Sequence, residues 1–237
     1  MRLTAEAALR GGAGLVTVAT APSHAASIVA ARPELMTEGI RDADALDRLI
    51  ARASVIACGP GLDVTDWSRM LLQRVLASGK PVVLDADALN LMSEDPGAWA
   101  RAPETRIITP HPGEAARMLG QASEQVQSDR LAALAALSDQ TGATVVLKGA
   151  GTLVGHTGQV PSICPFGNPG MSAPGMGDVL TGLIAALLAQ GLNAESAART
   201  GVLVHALAGD SAARRGERGL LAGDLLDELR HWLNPRH

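Results

Sequence analysis

Short apolar runs without polar alternation recur along the chain at Val55-Ile-Ala-Cys58, Val82-Val-Leu-Asp85, Arg106-Ile-Ile-Thr109 and Thr144-Val-Val-Leu147. Amphipathic stretches at 65–78, 112–119 and 126–141 separate most of them. A strand that is apolar on both sides must be covered on both faces, the pattern of a parallel sheet held between helices. Ahead of this series, residues 4–10 read as a helix closed by Gly11 and Gly12, Leu15 to Ala19 as a strand rich in β-branched residues, and 23–32 as a second helix. Behind it, Thr152 to Val154 and Val160 to Ile163 read as the arms of a hairpin at the sheet edge, followed by helices at 179–190, 194–214 and 222–233. The expected fold class is α/β, a mainly parallel central sheet with helices on both faces. No linker, repeat or low-complexity tract interrupts the series, so 1–237 reads as a single domain, a size such folds reach.

Composition narrows the partners. With 20 Lys and Arg against 24 Asp and Glu the formal charge is −4, and there is neither a basic run nor an aromatic stripe, which argues against a nucleic-acid or anionic-membrane surface and for a small-molecule substrate. The chain has no Tyr and one Phe, so its core must be aliphatic, built from Ala, Leu and Val. Cys58 and Cys164 lie far apart in apolar surroundings and read as free thiols, which together with the lack of a charged-then-apolar leader points to the cytoplasm. The apolar helix at 179–190 is too short to span a bilayer. His24, His156, His205, His231 and His237 follow no pattern and read as surface or satisfied core positions.

Candidate chemistry gathers in the loops after the strands, where α/β sheets bind their ligands. The stretch from Gly167 to Asp178 is rich in glycine, ends in one acid and opens the apolar helix that follows. Its backbone N–H groups and the positive end of the helix dipole form an anion site. Gly175 is followed by Met176, Gly177 and Asp178 rather than by Lys and Ser or Thr, so this is not a Walker loop. The arrangement suits a carboxylate, Asp178, that takes a proton from a substrate hydroxyl while the amides of Gly175, Met176 and Gly177 hold a transferring phosphoryl group. Taken alone it suits better an Asp178 that only caps the helix and glycines that only turn the chain; the neighbouring loops reverse that preference. The Gly59-Pro-Gly61 loop reads as a turn or as a binding loop, and Asp85 with Asp87 as an N-cap pair or as substrate contacts. His111, between two prolines, is bound to a loop at a strand end, where histidines are more often functional. Glu114 is a first-turn dipole partner if nothing more. Lys148, straight after a buried strand, needs water or an anion for its charge, and Gly149 and Gly151 allow close approach of a phosphate-bearing ligand.

Together these blocks resemble the ADP- or ATP-dependent NAD(P)H-hydrate dehydratases, the carbohydrate-kinase-like branch of the ribokinase superfamily. The resemblance is carried by Arg10-Gly-Gly-Ala-Gly-Leu-Val16, Ala31-Arg-Pro-Glu-Leu-Met36, Gly59-Pro-Gly-Leu62, Asp85-Ala-Asp-Ala-Leu-Asn90, Thr109-Pro-His-Pro-Gly-Glu-Ala-Ala116, Lys148-Gly-Ala-Gly-Thr152 and Gly167-Asn-Pro-Gly-Met171 with Gly175-Met-Gly-Asp-Val-Leu180, in the family's order over nearly the whole chain. It implies dehydration of the S epimer of hydrated NADH or NADPH, with ADP or ATP as co-substrate and Mg2+ as cofactor. It implies that Asp178 addresses the reacting hydroxyl, and that Gly59, Gly61, Asp85, Asn90 and His111 lie along the hydrated nicotinamide nucleotide. Lys148, Gly149, Ala150, Gly151, Thr152, Gly175, Met176 and Gly177 would contact the adenine nucleotide. Glu114 resembles the acid of an Asn-x-x-Glu element that helps place magnesium, with His111 where Asn would stand. The resemblance further implies a homo-oligomer, a tetramer, and an epimerase activity on another chain or on a segment missing here.

Three departures from the family pattern stand out. Members usually begin this domain with a strand and a Gly-Gly-Ser-like loop ahead of the helix that starts here at Thr4, so the chain reads as N-terminally short, with the strand at 15–19 left open and a longer form expected to be more soluble and more active. Pro174 stands where the family has Gly, removing an N–H beside the nest and turning Ala173 away from the helical region. Asp63 replaces a glycine after Leu62. Two other readings remain at this stage: a kinase of a small alcohol such as a thiazole or pyrimidine vitamin precursor, and a non-catalytic nucleotide-binding remnant.

Overall fold

A computed structural model describes residues 1–234; His237 falls outside them. Four strands, β3 (Ile56–Cys58), β4 (Val82–Leu84), β5 (Arg106–Ile108) and β6 (Thr144–Leu147), pair in parallel and in sequence order, Ile56 opposite Val82, Val82 opposite Arg106 and Ile107 opposite Thr144. The hairpin of β7 (Leu153–Gly155) and β8 (Ser162–Ile163) then adds two antiparallel strands at the edge, as its position in the sequence predicts. Two further strands, β1 (Thr17–Thr20) and β2 (Met36–Gly39), form a separate parallel pair that shares no ladder with the main sheet.

The double-sided apolar strands explain the layers. Val82, Leu84, Ile108, Val145 and Leu147 face helices α4 (Asp66–Leu76), α5 (Ala86–Glu94), α6 (Pro112–Leu119), α7 (Ser123–Ser128) and α8 (Arg130–Thr141), in a core that contains Trp99. Their neighbours Val83, Ile107 and Val146 face the other way, against α9 (Met176–Ala189), α10 (Ala194–Ala212) and α11 (Ala222–Leu233), with Trp232 packed at the margin. All eight of these strand residues are fully buried, as a parallel sheet covered on both faces requires. A smaller cluster around Ile40 and Leu46 joins α3 (Ala43–Arg52) to α4 and takes in Trp67.

The element boundaries follow local chemistry. In α6, Pro112 occupies the first turn, His111 and Glu114 form a capping box, and Gly120 closes the helix in the left-handed region. The expected helix over 126–141 is two helices, because Asp129 leaves helical geometry and turns its carboxylate onto the Ala132 N–H, ending α7 and starting α8. The strand expected at 15–19 runs from Thr17 to Thr20, leaving Leu15 exposed. Helix α1 (Arg2–Arg10) crosses α9 so closely that a Cβ on Gly182 would lie 1.9 Å from the Thr4 carbonyl oxygen. No helix among the described residues is long and apolar enough to cross a membrane.

Candidate active site

The loops that follow β3, β4, β5 and β6 open at one end of the sheet and meet the first turn of α9 there. Gly59 makes the closest of these approaches possible: its φ is +127°, and a Cβ would stand 1.7 Å from the Asp85 carbonyl oxygen. At Ala86 the chain enters the left-handed region with φ +47°, a conformation that costs a non-glycine residue of order 1–3 kcal/mol and clusters at functional sites. Asp63 also has positive φ, 66°, which accounts for a glycine at this position in the family pattern. Here its own Oδ1 accepts the Val64 N–H, and its N–H donates to Asp87.

Asp85 proves to be the buried centre of the site rather than part of its surface. It is 1% exposed; its Oδ1 accepts Lys148 Nζ at 2.8 Å and its Oδ2 accepts the Thr181 hydroxyl at 2.8 Å. Burial raises the carboxyl's pKa, but the Lys148 charge and the hydrogen bonds from Lys148, Thr181 and Thr109 outweigh it and hold Asp85 below its ordinary value. The expectation of Asp85 as a substrate contact is therefore revised, because the side chain lies beneath the surface and orients Lys148. Lys148, 18% exposed, also lies 3.7 Å from Glu114 and next to Gly177, where a Cβ would be 3.2 Å from Nζ. Asn90 stands aside from this cluster, hydrogen-bonded to Asp87 and Arg117.

His111 is where the two prolines put it, in a strand-end loop and half exposed, with Nδ1 accepting the Gly113 N–H at 3.0 Å. Nδ1 is thus an acceptor, which assigns the ring proton to Nε2. Glu114 is buried; Oε2 accepts the His111 N–H at 2.8 Å and Oε1 lies 3.4 Å from His111 Nε2. With both oxygens engaged and an ammonium beside it, Glu114 does not fit a magnesium ion held by the protein alone, and among the described residues no three His, Cys, Asp or Glu side chains converge as metal ligands.

Asp178 sits in the first turn of α9, whose N-cap is Gly175 with φ +88° and no side-chain cap bond. Its carboxylate is 29% exposed and accepts the Met1 ammonium at 2.9 Å; among the described residues it makes no bond to its own helix. The helix-cap reading of Asp178 therefore has no geometric support; the carboxylate's partner is the Met1 ammonium rather than its own helix. Gly61 borders the same spot, 3.7 Å from the Met1 Cβ if it carried a Cβ. Ala173, ahead of Pro174, is extended at φ −71°, ψ 150°, as expected.

Two contributors have no sequence signal. Thr181 reaches Asp85 from one turn into α9. His205, on α10 and buried, holds the Met176 carbonyl at the start of the same helix, Nε2 to O 2.9 Å; burial first, then the Lys148 charge, lowers its pKa to about 4 in spite of that bond, so it is neutral. Cys58, at the end of β3, is pushed up to about 12 by burial and is no nucleophile. In the loop after β6, the Thr152 hydroxyl donates to the Gly149 carbonyl at 2.9 Å, while the amides of Gly149, Ala150 and Gly151 donate to no protein acceptor among the described residues.

Free amides after β6, a lysine set by a buried acid, and a first-turn carboxylate on a helix N-terminus at the carboxyl end of a parallel sheet define an α/β protein of the ribokinase-like class. A solved structure of the ADP/ATP-dependent NAD(P)H-hydrate dehydratase from Bacillus subtilis, co-crystallised with ATP and Mg2+ and soaked with CoA, superposes with a TM-score of 0.81 at 27% identity, covering 98% of this chain and 84% of that one. The carbohydrate-kinase-type family described as NAD(P)H-hydrate dehydratase matches residues 1–231, and the chain belongs to it. The bifunctional NAD(P)H-hydrate repair enzyme Nnr of Coxiella burnetii is 49% identical over 236 residues, 99% of this chain and 48% of that protein. The ADP-dependent (S)-NAD(P)H-hydrate dehydratase of Neisseria meningitidis is 40% identical over 215 residues, 89% of this chain and 71% of that protein. The chain thus spans about half the length of the bifunctional relative.

Proposed function

We propose that the chain dehydrates the S epimer of hydrated NADH or NADPH at the expense of ADP or ATP, returning it to NAD(P)H. The observation that carries this reading is the Asp178 carboxylate, at the N-terminus of α9 and unbound to its own helix. Hydroxide is a poor leaving group, so the ring hydroxyl is first activated. Asp178 takes its proton while the oxygen attacks the terminal phosphoryl group of the nucleotide. Lys148 and the amides of Gly175, Met176 and Gly177 neutralise charge on the moving group, and Gly149 to Thr152 hold the rest of the phosphate chain. The ring nitrogen's lone pair then expels phosphate, and loss of a proton from the adjacent ring carbon restores the double bond.

The substrate lies along Gly59, Gly61 and His111, with Asn90 at the outer rim. Magnesium belongs to this reading as the companion of the nucleotide's phosphates, which suits its habit of binding few protein groups and keeping its waters. Residues 1–237 act as one cytoplasmic catalytic unit that assembles as a homo-oligomer, and any epimerase activity belongs to another chain or segment. The test is to supply the S hydrates of NADH and NADPH with ADP or ATP. Stoichiometric release of phosphate with recovery of the dihydronicotinamide absorbance supports the reading. An accumulating phosphomonoester, or binding without turnover, overturns it.

A further inference from the structure

Arg130 opens α8, a position the helix dipole disfavours for a cation. Among the described residues it forms no ion pair, and its buried Nε has no partner. Its guanidinium instead gathers carbonyls from a single stretch of chain. Nη2 donates to Leu147 at 3.0 Å and Lys148 at 3.3 Å, while Nη1 donates to Gly151 at 3.1 Å and to Ala150. In a planar trans peptide the C=O and the following N–H point in opposite directions. Carbonyls of Lys148, Ala150 and Gly151 drawn toward Arg130 therefore turn the amides of Gly149, Gly151 and Thr152 away from it. Neither the Gly149 nor the Gly151 amide has a protein acceptor among the described residues. Gly149 keeps the contact open: its φ is +144°, and a Cβ there would lie 3.1 Å from Nη2.

We infer that Arg130 is a positioning residue for nucleotide binding: by holding four carbonyls at the end of β6 and in the loop after it, it presents the amides of Gly149 and Gly151 to the nucleotide's phosphates. This inference rests on the proposed function, in which that loop receives the nucleotide. Arginine is required because its planar fork spans carbonyls on both sides, whereas a lysine ammonium donates from one point. Without an ion-pair partner among the described residues, the guanidinium leaves its charge behind the loop to add to the attraction.

The test compares wild-type protein with Arg130→Lys and Gly149→Ala, the second of which pushes on the guanidinium from the loop side. Calorimetry with ADP and with ATP is read beside steady-state kinetics and thermal melts. The expected result is a Kd for nucleotide raised roughly ten- to a hundredfold in both variants, the worth of one or two charge-assisted hydrogen bonds. Turnover at saturating nucleotide changes far less, and KM for the hydrate stays near wild type. A merely structural arginine would lower the melting temperature and leave nucleotide affinity of the folded protein intact; that outcome overturns the inference while the proposed function stands. Wild-type protein that binds neither ADP nor ATP overturns both.

Discussion

Replacing Asp85 tests the buried centre of the site. Asp85→Ala removes the acceptor of Lys148 Nζ at 2.8 Å and of the Thr181 hydroxyl at 2.8 Å, and leaves the ammonium with Glu114 at 3.7 Å. Breaking a buried ion pair by deleting one member costs about 3–5 kcal/mol. Two features lower that figure here: Glu114 remains as a second carboxylate, and Lys148 is 18% exposed and can turn toward water. The working estimate is roughly 2–3 kcal/mol, or about 4–12 °C in Tm for a chain of this size. Asp85→Asn keeps the shape and loses the charge. Its amide oxygen can still accept from Lys148, while its NH2 faces a Thr181 hydroxyl free to reverse its role, so the cost should be about half. The pH dependence gives a second handle. Asp85 is held below its unfolded value of 3.8, so its contribution is complete above pH 3.8 and lost as pH falls through the lowered folded value. Thermal melts of the three proteins at pH 7 and at steps below pH 4 should show a gap that is wide at neutrality and closes in acid. A variant as stable as wild type at pH 7, or a gap that persists unchanged in acid, would refute the pairing argument.

Asp178→Asn should leave nucleotide binding nearly intact and lower turnover by roughly 10²-fold or more, the scale of a positioned base; near-normal turnover would demote Asp178. Lys148→Ala should weaken nucleotide binding, and an unchanged affinity by calorimetry would remove Lys148 from the phosphate site. His205→Gln addresses a different pH window: a histidine lowered from 6.5 to about 4 contributes stability above pH 6.5 that is lost as pH falls toward 4, so the variant should lose less stability than wild type over that span, and parallel losses would contradict its burial as a neutral group. Gly182→Ala sets a Cβ against the Thr4 carbonyl, a backbone atom with no rotamer to escape into, and should cost about 1–3 kcal/mol as overpacking does, read as a lowered denaturant midpoint; an unmoved midpoint would mean that α1 yields freely.

The sequence made β3 to β6 legible because strands apolar on both faces have few other fates, and it made α6 and α11 legible because a proline or a capping acid marks where each begins. It hid β2, whose Met-Thr-Glu-Gly has no apolar alternation, and it hid the break at Asp129, since a single acid inside an amphipathic run reads as solvated surface until its carboxylate is seen on the Ala132 N–H. It also left α3 and α5 unassigned, the latter starting inside a motif read for its chemistry. The glycine loops and Asp178 stood out by composition and spacing. Which of Asp85 and Asp87 turns inward did not, because both flank the same strained residue and only the position of Lys148 decides. His205 meets Met176 across 29 residues of chain, a distance local patterning does not bridge. Arg130 carried no signal either, since it becomes the first residue of a helix only once the break at Asp129 is seen.

The aliphatic core has a spectroscopic consequence. With no tyrosine to transfer energy, emission excited at the red edge of indole absorption comes from the three tryptophans alone. Trp99 lies in the cluster under one face of the main sheet, Trp232 at the margin of the cluster under the other, and Trp67 in the small cluster that joins α3 to α4. Each layer therefore has its own fluorophore. Variants that keep one indole at a time can follow the loosening of each layer separately and time it against the loss of the strands between them.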